Sequence, residues 1–172
     1  MGDEEEELRV LLGELAQESA RLVRIAAYTT GSSEPATSWH TLGALLTHGP
    51  QRLGELAVLT RVSQPGMTKI VAALVERGWL ERSPDPEDAR AWRIEATPAG
   101  RAALDGWLRE MSAALLPYFS GLGEEELSAL RRTVRLLTER VEAAAPAAVR
   151  IAVARTAPAD LPPQQLSGKD LP

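Results

Sequence analysis

Side-chain types that hydrogen-bond to nucleic acid recur on one face of a predicted helix over about residues 64–77. A Gln can pair with an adenine edge, a Lys with guanine or phosphate, and a Thr with a phosphate or a thymine methyl. Any solvated helix also has a polar face, so this face alone does not identify a partner. The outward residues are Gln64, Pro65, Thr68, Lys69 and Ala72, and the apolar ones are Met67, Ile70, Val71 and Leu74.

The segment from Leu53 to Val75 has the apolar spacing of a helix-turn-helix. Ala57 supplies the small residue that lets the two helices approach closely. Ser63 is the expected N-cap of the second helix, because its hydroxyl can accept an unpaired backbone N–H, and Pro65 then falls in the first turn. The positions expected to face each other are Leu56, Val62, Met67 and Ile70.

Two short extended runs follow Gly78, which we expect to end the second helix. Residues 79–83 and 91–96 are predicted strands joined by a turn over 84–88, with Trp92, Ile94 and Ala96 alternating inward. An Arg at the tip of such a hairpin, here Arg90, can enter a narrow minor groove. Asp88 can orient Arg90 or the turn backbone. The alternative for this segment is an ordinary charged, solvated loop.

In this order and spacing, these motifs resemble the MarR family of bacterial transcription regulators, over roughly residues 5–145. The resemblance implies a homodimeric winged-helix protein, usually a repressor, that binds a pseudo-palindromic operator and often releases it when a small molecule binds or a cysteine is oxidised. The matching segments are His48-Gly49-Pro50, Leu53-Gly54-Glu55-Leu56-Ala57, Val62-Ser63-Gln64-Pro65-Gly66-Met67-Thr68-Lys69, Leu74-Val75-Glu76-Arg77-Gly78, Asp85-Pro86-Glu87-Asp88-Ala89-Arg90 and Thr97-Pro98-Ala99-Gly100.

Three positions depart from the family pattern. Arg52 stands where a Ser or Thr commonly caps the first helix of the motif, and Arg61 stands where the turn commonly has Gly. A non-Gly residue at that turn must adopt a positive φ or shift the turn. The wing has Ala89 and then Arg90 where the family usually has two consecutive Arg, so Arg90 is expected to carry the electrostatic contact of the wing.

The predicted fold is mainly α: a winged helix-turn-helix over about residues 38–100 with a short β-hairpin wing, plus terminal dimerisation helices over 5–30 and 101–145. Ser38 is the expected cap of a helix through Thr47, and Pro117 is expected to bend or end the helix that opens at Thr97-Pro98. Residues 146–172, rich in Ala and Pro, read as a tail. The dimer contacts are assigned to Leu8, Leu12, Leu127, Leu130, Val134 and Leu137.

Composition narrows the classes of protein. The 172 residues include no Cys, which excludes disulfides and cysteine-based sensing, and we expect neither a metal nor a cofactor. The sequence has no apolar segment long enough to span a membrane. Its N-terminus is acidic, unlike a signal peptide, so the expected location is cytoplasmic.

The net charge is −5, yet residues 48–101 hold eight Lys and Arg against seven Asp and Glu. DNA affinity would then depend on a few placed cations, not on a broad basic surface.

Several alternatives stay open. Clustered carboxylates, Glu4 to Glu7 and Glu124 to Glu126, lie at helix starts and suit the helix dipole better than catalysis. A zinc-responsive regulator would need more than His40 and His48, which are about 12 Å apart along one helix. A winged helix can also serve protein–protein contacts without DNA. For a small-molecule effector, the candidate pocket residues are Tyr28, Trp39, His40 and Trp92, each of which can equally be core or interface.

Overall fold

The computed structural model describes residues 2–31, 33–88 and 90–156, with side chains for residues 2–31, 33–88, 90–141 and 143. The predicted fold class is confirmed, since helices dominate and a small sheet follows the helix-turn-helix. In chain order the elements are α1 (Gly2–Thr30), α2 (Ala36–His48), β1 (Gln51–Arg52), α3 (Leu53–Thr60), α4 (Gln64–Glu76), β2 (Leu80–Pro84), β3 (Trp92–Ala96), α5 (Pro98–Leu115), a 3₁₀ turn (Leu116–Phe119) and α6 (Glu124–Thr156).

The core lies where α2, α3 and α4 meet the sheet. Leu56 and Met67 are fully buried between α3 and α4, and Ala57 is buried beside them, as the spacing predicted. Val62 and Ile70 are partly buried against the same core. The buried cluster contains Trp39, Leu42, Leu45, Leu56, Ala57, Met67, Val71, Leu74, Leu80 and Ile94.

The sheet has three antiparallel strands in the order β1-β3-β2, and β1 was not predicted. Leu80 pairs with Ala96 and Pro84 with Trp92 in the wing hairpin, while Gln51 pairs with Ile94 and Arg52 with Arg93 on the other edge. Trp92 does not face the core as predicted, since it is 58% exposed. It sits at the outer end of the hairpin, beyond the last buried residue of β3, Ile94.

Two further expectations about helix ends differ from the structure. The α2 helix begins at Ala36 because Pro35 holds extended backbone directly before it, so Ser38 is a buried residue inside the helix and not its cap. The α6 helix continues through Thr156, so Pro146 does not start the tail. Alanine is the strongest helix former, and several flank this proline. The rest of the predicted tail, residues 157–172, lies outside the described residues.

The terminal helices pack on one another and on the winged helix through only part of their surfaces. The second half of α1 lies on α5, where Ala26 is fully buried, and α6 contacts α3. The α5 helix ends at Leu115, before Pro117, as predicted. Much of the predicted dimer seam is exposed in the single chain, including Leu8, Leu12, Leu130 and Val134, whereas Leu127 and Leu137 are partly buried.

Candidate nucleic-acid interface

The N-terminal turn of α4 is capped as predicted. Ser63 has extended backbone, and its hydroxyl accepts a hydrogen bond from the N–H of Gly66 at 3.3 Å. Pro65 lies in the first turn, where its missing N–H leaves no hydrogen bond unmade. Arg61, in the turn between α3 and α4, adopts φ 54° and ψ 36°, so this turn has a left-handed residue without a glycine. The capped turn therefore holds the start of α4 in a defined orientation.

The outward face of α4 is exposed at every position that the sequence assigned to it: Gln64, Pro65, Thr68, Lys69 and Ala72. The Thr68 hydroxyl donates to the Gln64 carbonyl at 3.0 Å, which leaves its oxygen able to accept a further hydrogen bond. The Gln64 amide nitrogen lies 3.3 Å from where a Cβ would stand on Gly54, in α3. The absence of a side chain at Gly54 thus makes room for Gln64.

The tip of the wing is held by Asp88. Its carboxylate accepts from the backbone N–H of Arg90 at 3.0 Å, and its carbonyl accepts from the N–H of Ala91 at 2.8 Å. Of the two roles expected for Asp88, the structure therefore supports the ordering of the turn backbone. The Arg90 side chain is exposed at this tip. Ala89 lies outside the described residues.

A buried carboxylate at the base of the wing was missed by the sequence analysis. The Asp85 side chain has no exposed surface, and its Oδ2 accepts from the Nε of Arg52 at 2.6 Å and from the Nε of Arg93 at 3.2 Å. Its Oδ1 accepts from the Glu87 N–H at 2.8 Å. The hydrogen bond from Arg52 and that from the Glu87 backbone hold the pKa of Asp85 well below its usual range, and Asp85 in turn raises the pKa of Arg52. We call Asp85, Arg52 and Arg93 the wing-base cluster.

Arg52 is also the N-cap residue of α3, directly before Leu53. Its backbone N–H donates to the Glu55 carboxylate at 2.8 Å, which is one half of a capping box. The guanidinium cannot provide the other half, because Arg has no acceptor atom. The side chain that replaces the usual Ser or Thr at this position is therefore used for the contact with Asp85. No local sequence signal marks this pair, which is separated by 33 residues.

Of the four candidate effector residues, Trp39 lies in an aromatic cluster, and Tyr28, His40 and Trp92 do not. Trp39 is buried between Trp79 and Trp107, with ring centroids 5.4 Å and 5.1 Å away. Within the described residues its indole N–H has no hydrogen-bond partner. Tyr28 is 86% exposed near the end of α1, and His40 and Trp92 are exposed on α2 and β3. Trp39 thus serves as core, and an effector pocket lined by these residues stays a prediction.

Among the described residues, no three His, Cys, Asp or Glu side chains come together as metal ligands would. Glu4 and Glu5 lie in the first turn of α1, and Glu124 to Glu126 in that of α6, where they complement the helix dipole. Across the described ranges we also find no helix with the length and apolarity needed to cross a bilayer.

A capped helix with an exposed polar face, a preceding helix packed across it and a β-hairpin directly after it define a winged helix-turn-helix protein. Comparison with known proteins agrees. A model of the MarR family matches residues 35–91. An HTH-type transcriptional regulator of Mycobacterium bovis, itself uncharacterized, is 31% identical over 113 residues, which cover 61% of this chain and 79% of the relative.

Two further matches are informative. The HTH-type transcriptional repressor NicR of Pseudomonas putida is 41% identical over 68 residues, or 40% of this chain and 43% of the relative. A transcriptional regulator of Thermotoga maritima has a crystal structure that matches with a TM-score of 0.62 at 24% identity, over 78% of this chain and 95% of that one. The chain belongs to the MarR family. It is a DNA-binding transcriptional regulator, a class of protein distinct from enzymes.

Proposed function

We propose that this regulator is a homodimeric repressor in the cytoplasm that binds a pseudo-palindromic operator through α4 and the wing. The observation that carries the proposal is the exposed face of Gln64, Thr68 and Lys69 on the capped first turns of α4. These side chains combine base-reading and phosphate-binding chemistry within two helical turns. The first turns of a recognition helix are the part that meets base edges in the major groove.

In this arrangement Gln64 reads a base edge, Lys69 meets guanine or phosphate, and Thr68 contacts phosphate or a thymine methyl. Ser63 orients the helix and, together with Pro65, keeps its first turn close to the DNA backbone. On the wing, Asp88 shapes the turn and Arg90 approaches the adjacent minor groove. The modest net charge of the region fits recognition by a few placed cations.

Dimerisation is supported by the apolar side chains that the single chain leaves exposed on α1 and α6. Leu8 on α1 is 54% exposed and Val134 on α6 is 55% exposed, and large apolar side chains grouped on a surface favour a partner that removes them from water. A second copy would cover them and would present two recognition helices to the two halves of a symmetric operator. The repressor assignment follows the name of the Pseudomonas putida relative. Release by a small-molecule effector stays a prediction from the family resemblance.

The experiment is a fluorescence anisotropy titration of the full chain with duplexes that tile the DNA flanking its own gene. We expect one duplex to bind at least about a hundredfold more tightly than its scrambled counterpart near physiological salt. Equal binding of all duplexes, or none, would contradict the proposal and favour a winged helix that contacts proteins. Added zinc or a chelator should leave the titration unchanged, whereas a zinc-responsive regulator would shift.

A further inference from the structure

We propose that Asp85 is a positioning residue: it fixes the wing, residues 80–96, against the start of α3, so that Arg90 and α4 meet DNA as one rigid unit. This inference rests on the proposed function, since it concerns how the two DNA-contacting parts are held together. Asp85 itself faces neither solvent nor DNA, because its side chain is fully buried.

The first support is the pairing of two cations across the sheet. Arg52 on β1 and Arg93 on β3 are directly opposite each other in the antiparallel register. Like charges in such a pair repel and weaken the strand contact. Here the Oδ2 atom of Asp85 accepts from the Nε atoms of both, at 2.6 Å and 3.2 Å. Without this carboxylate the same two strands would bring two guanidinium groups together with no counter-charge between them.

The second support is that Asp85 also shapes the turn. Its Oδ1 accepts from the N–H of Glu87, and its own N–H donates to the carbonyl of Ala91 at 3.0 Å. One residue therefore joins both ends of the turn that carries Asp88 and Arg90, and connects that turn to Arg52, the N-cap residue of α3. The wing cannot swing away from the helix-turn-helix without breaking these contacts.

The third support is the small number of cations on the wing tip. Arg90 is its exposed Arg, and the residue before it is the uncharged Ala89. A single charge contributes fully only when it already stands where the phosphate backbone or the groove will be, because ordering a mobile segment on binding opposes affinity. A preoriented wing lets one Arg contribute what a looser wing would need two to supply.

The variant Asp85→Asn should change DNA affinity in opposite directions, depending on whether Asp85 acts through its charge or through its position. Removing a negative charge near DNA should tighten binding if only the overall electrostatics matter. If Asp85 positions the wing, the variant should bind the operator at least about threefold more weakly. In addition, Arg90→Ala should lose most of its effect in the Asp85→Asn background, because the wing is then no longer held at the groove.

Two matched controls separate position from charge. Glu81→Gln removes an exposed carboxylate from the wing, on β2 and outside the wing-base cluster, and should bind equally or slightly more tightly. Arg52→Gln and Arg82→Gln each remove one cation from the sheet, but only Arg52 contacts Asp85. Only Arg52→Gln should reduce the effect of Arg90→Ala. This pair decides the question even if Asp85→Asn fails to fold, since Arg52→Gln leaves Asp85 paired with Arg93.

The outcomes distinguish this inference from the proposed function. If the wild type selects the operator, but Asp85→Asn binds equally or more tightly and Arg90→Ala keeps its full effect there, the positioning role is wrong. An unchanged effect of Arg90→Ala in both Arg52→Gln and Arg82→Gln backgrounds would also overturn it. Failure of the wild type to select any duplex would overturn the proposed function, and this inference with it.

Discussion

The backbone carbonyl of Trp79 occupies the space that a Cβ atom would need at Gly100. Trp79 directly precedes β2, and Gly100 lies in the first turn of α5. The same carbonyl accepts a hydrogen bond from the N–H of Thr97 at 3.0 Å, and the Thr97 hydroxyl caps α5 through Gly100 at 3.1 Å. The winged helix and the terminal helix α5 are thus joined by a backbone contact that only glycine permits.

Gly100→Ala should therefore destabilise the protein. The added methyl group must displace the Trp79 backbone or the start of α5, and overpacking of this kind reduces the free energy of unfolding by about 1–3 kcal/mol. Gly106→Ala in the same helix is the control. Its Cβ would meet only the end of the Arg109 side chain at 3.9 Å, so it should stabilise α5 by up to about 1 kcal/mol. Urea denaturation measures both, and equal stability of the two variants would contradict the contact.

The contribution of Asp85 to stability should depend on pH. Its pKa is lowered in the folded state by Arg52 first and then by the Glu87 backbone. A lowered folded pKa means that the stabilisation is present above the unfolded value of about 3.9 and is lost as the pH falls below it. The wild type should therefore unfold at higher urea concentration than Asp85→Asn at neutral pH, and the difference should shrink towards about pH 3. A difference that does not change with pH would contradict this.

Much of the fold and of the recognition face could be predicted because its signals are local. The hydroxyls of Ser63 and Thr97 are expected to cap the helices that follow them, and each accepts a hydrogen bond from the backbone N–H three residues later. The exposed face of α4 follows from the helical period alone. Arg61 at a left-handed turn was also foreseen as one of two alternatives, because a motif of fixed length leaves few other conformations there.

The rest depends on contacts between distant segments. The two-residue strand β1 exists only because β3 lies beside it, and Asp85 reaches Arg52 across 33 residues. Nothing local in the charged turn therefore indicates that one of its carboxylates is buried. The stack of Trp39, Trp79 and Trp107 likewise joins three separate segments, so the sequence left Trp39 open as pocket, core or interface, and the structure places it in the core.

The terminal helices should hold two chains together. Leu130→Asp with Val134→Asp places charges within the exposed stripe of α6 and should yield a monomer, because a buried unpaired carboxylate strongly opposes association. Light scattering of the wild type should give twice the chain mass of 18.6 kDa. Arg132→Asp introduces the same side chain on the opposite side of α6 and should stay dimeric. A folded wild-type monomer at micromolar concentration would disprove the dimer.

Arg90 should carry most of the contact of the wing with DNA. Arg90→Ala should weaken operator binding by about 1–3 kcal/mol, most where the flanks are A·T-rich, and should leave thermal stability nearly unchanged because the side chain is exposed. Ala89→Arg should tighten binding at low salt and lose much of that gain as salt rises.

Arg101→Ala, an exposed Arg on α5 outside the wing, serves as the control for Arg90→Ala and should have a smaller effect. If Arg90→Ala binds like the wild type over a whole salt titration, the wing does not contribute. A large loss of thermal stability would instead identify Arg90 as a structural ion-pair partner.

The most direct test of DNA recognition by α4 compares Gln64→Ala and Lys69→Ala on the operator, on operators with single base changes, and over a range of salt. Loss of a bidentate base contact at Gln64 should weaken operator binding by about 1–3 kcal/mol and flatten the preference at one base pair. Loss of a phosphate contact at Lys69 should weaken all sequences alike and reduce the salt dependence by about one counterion. Wild-type binding by both variants on every duplex would contradict the central claim that this face of α4 reads DNA.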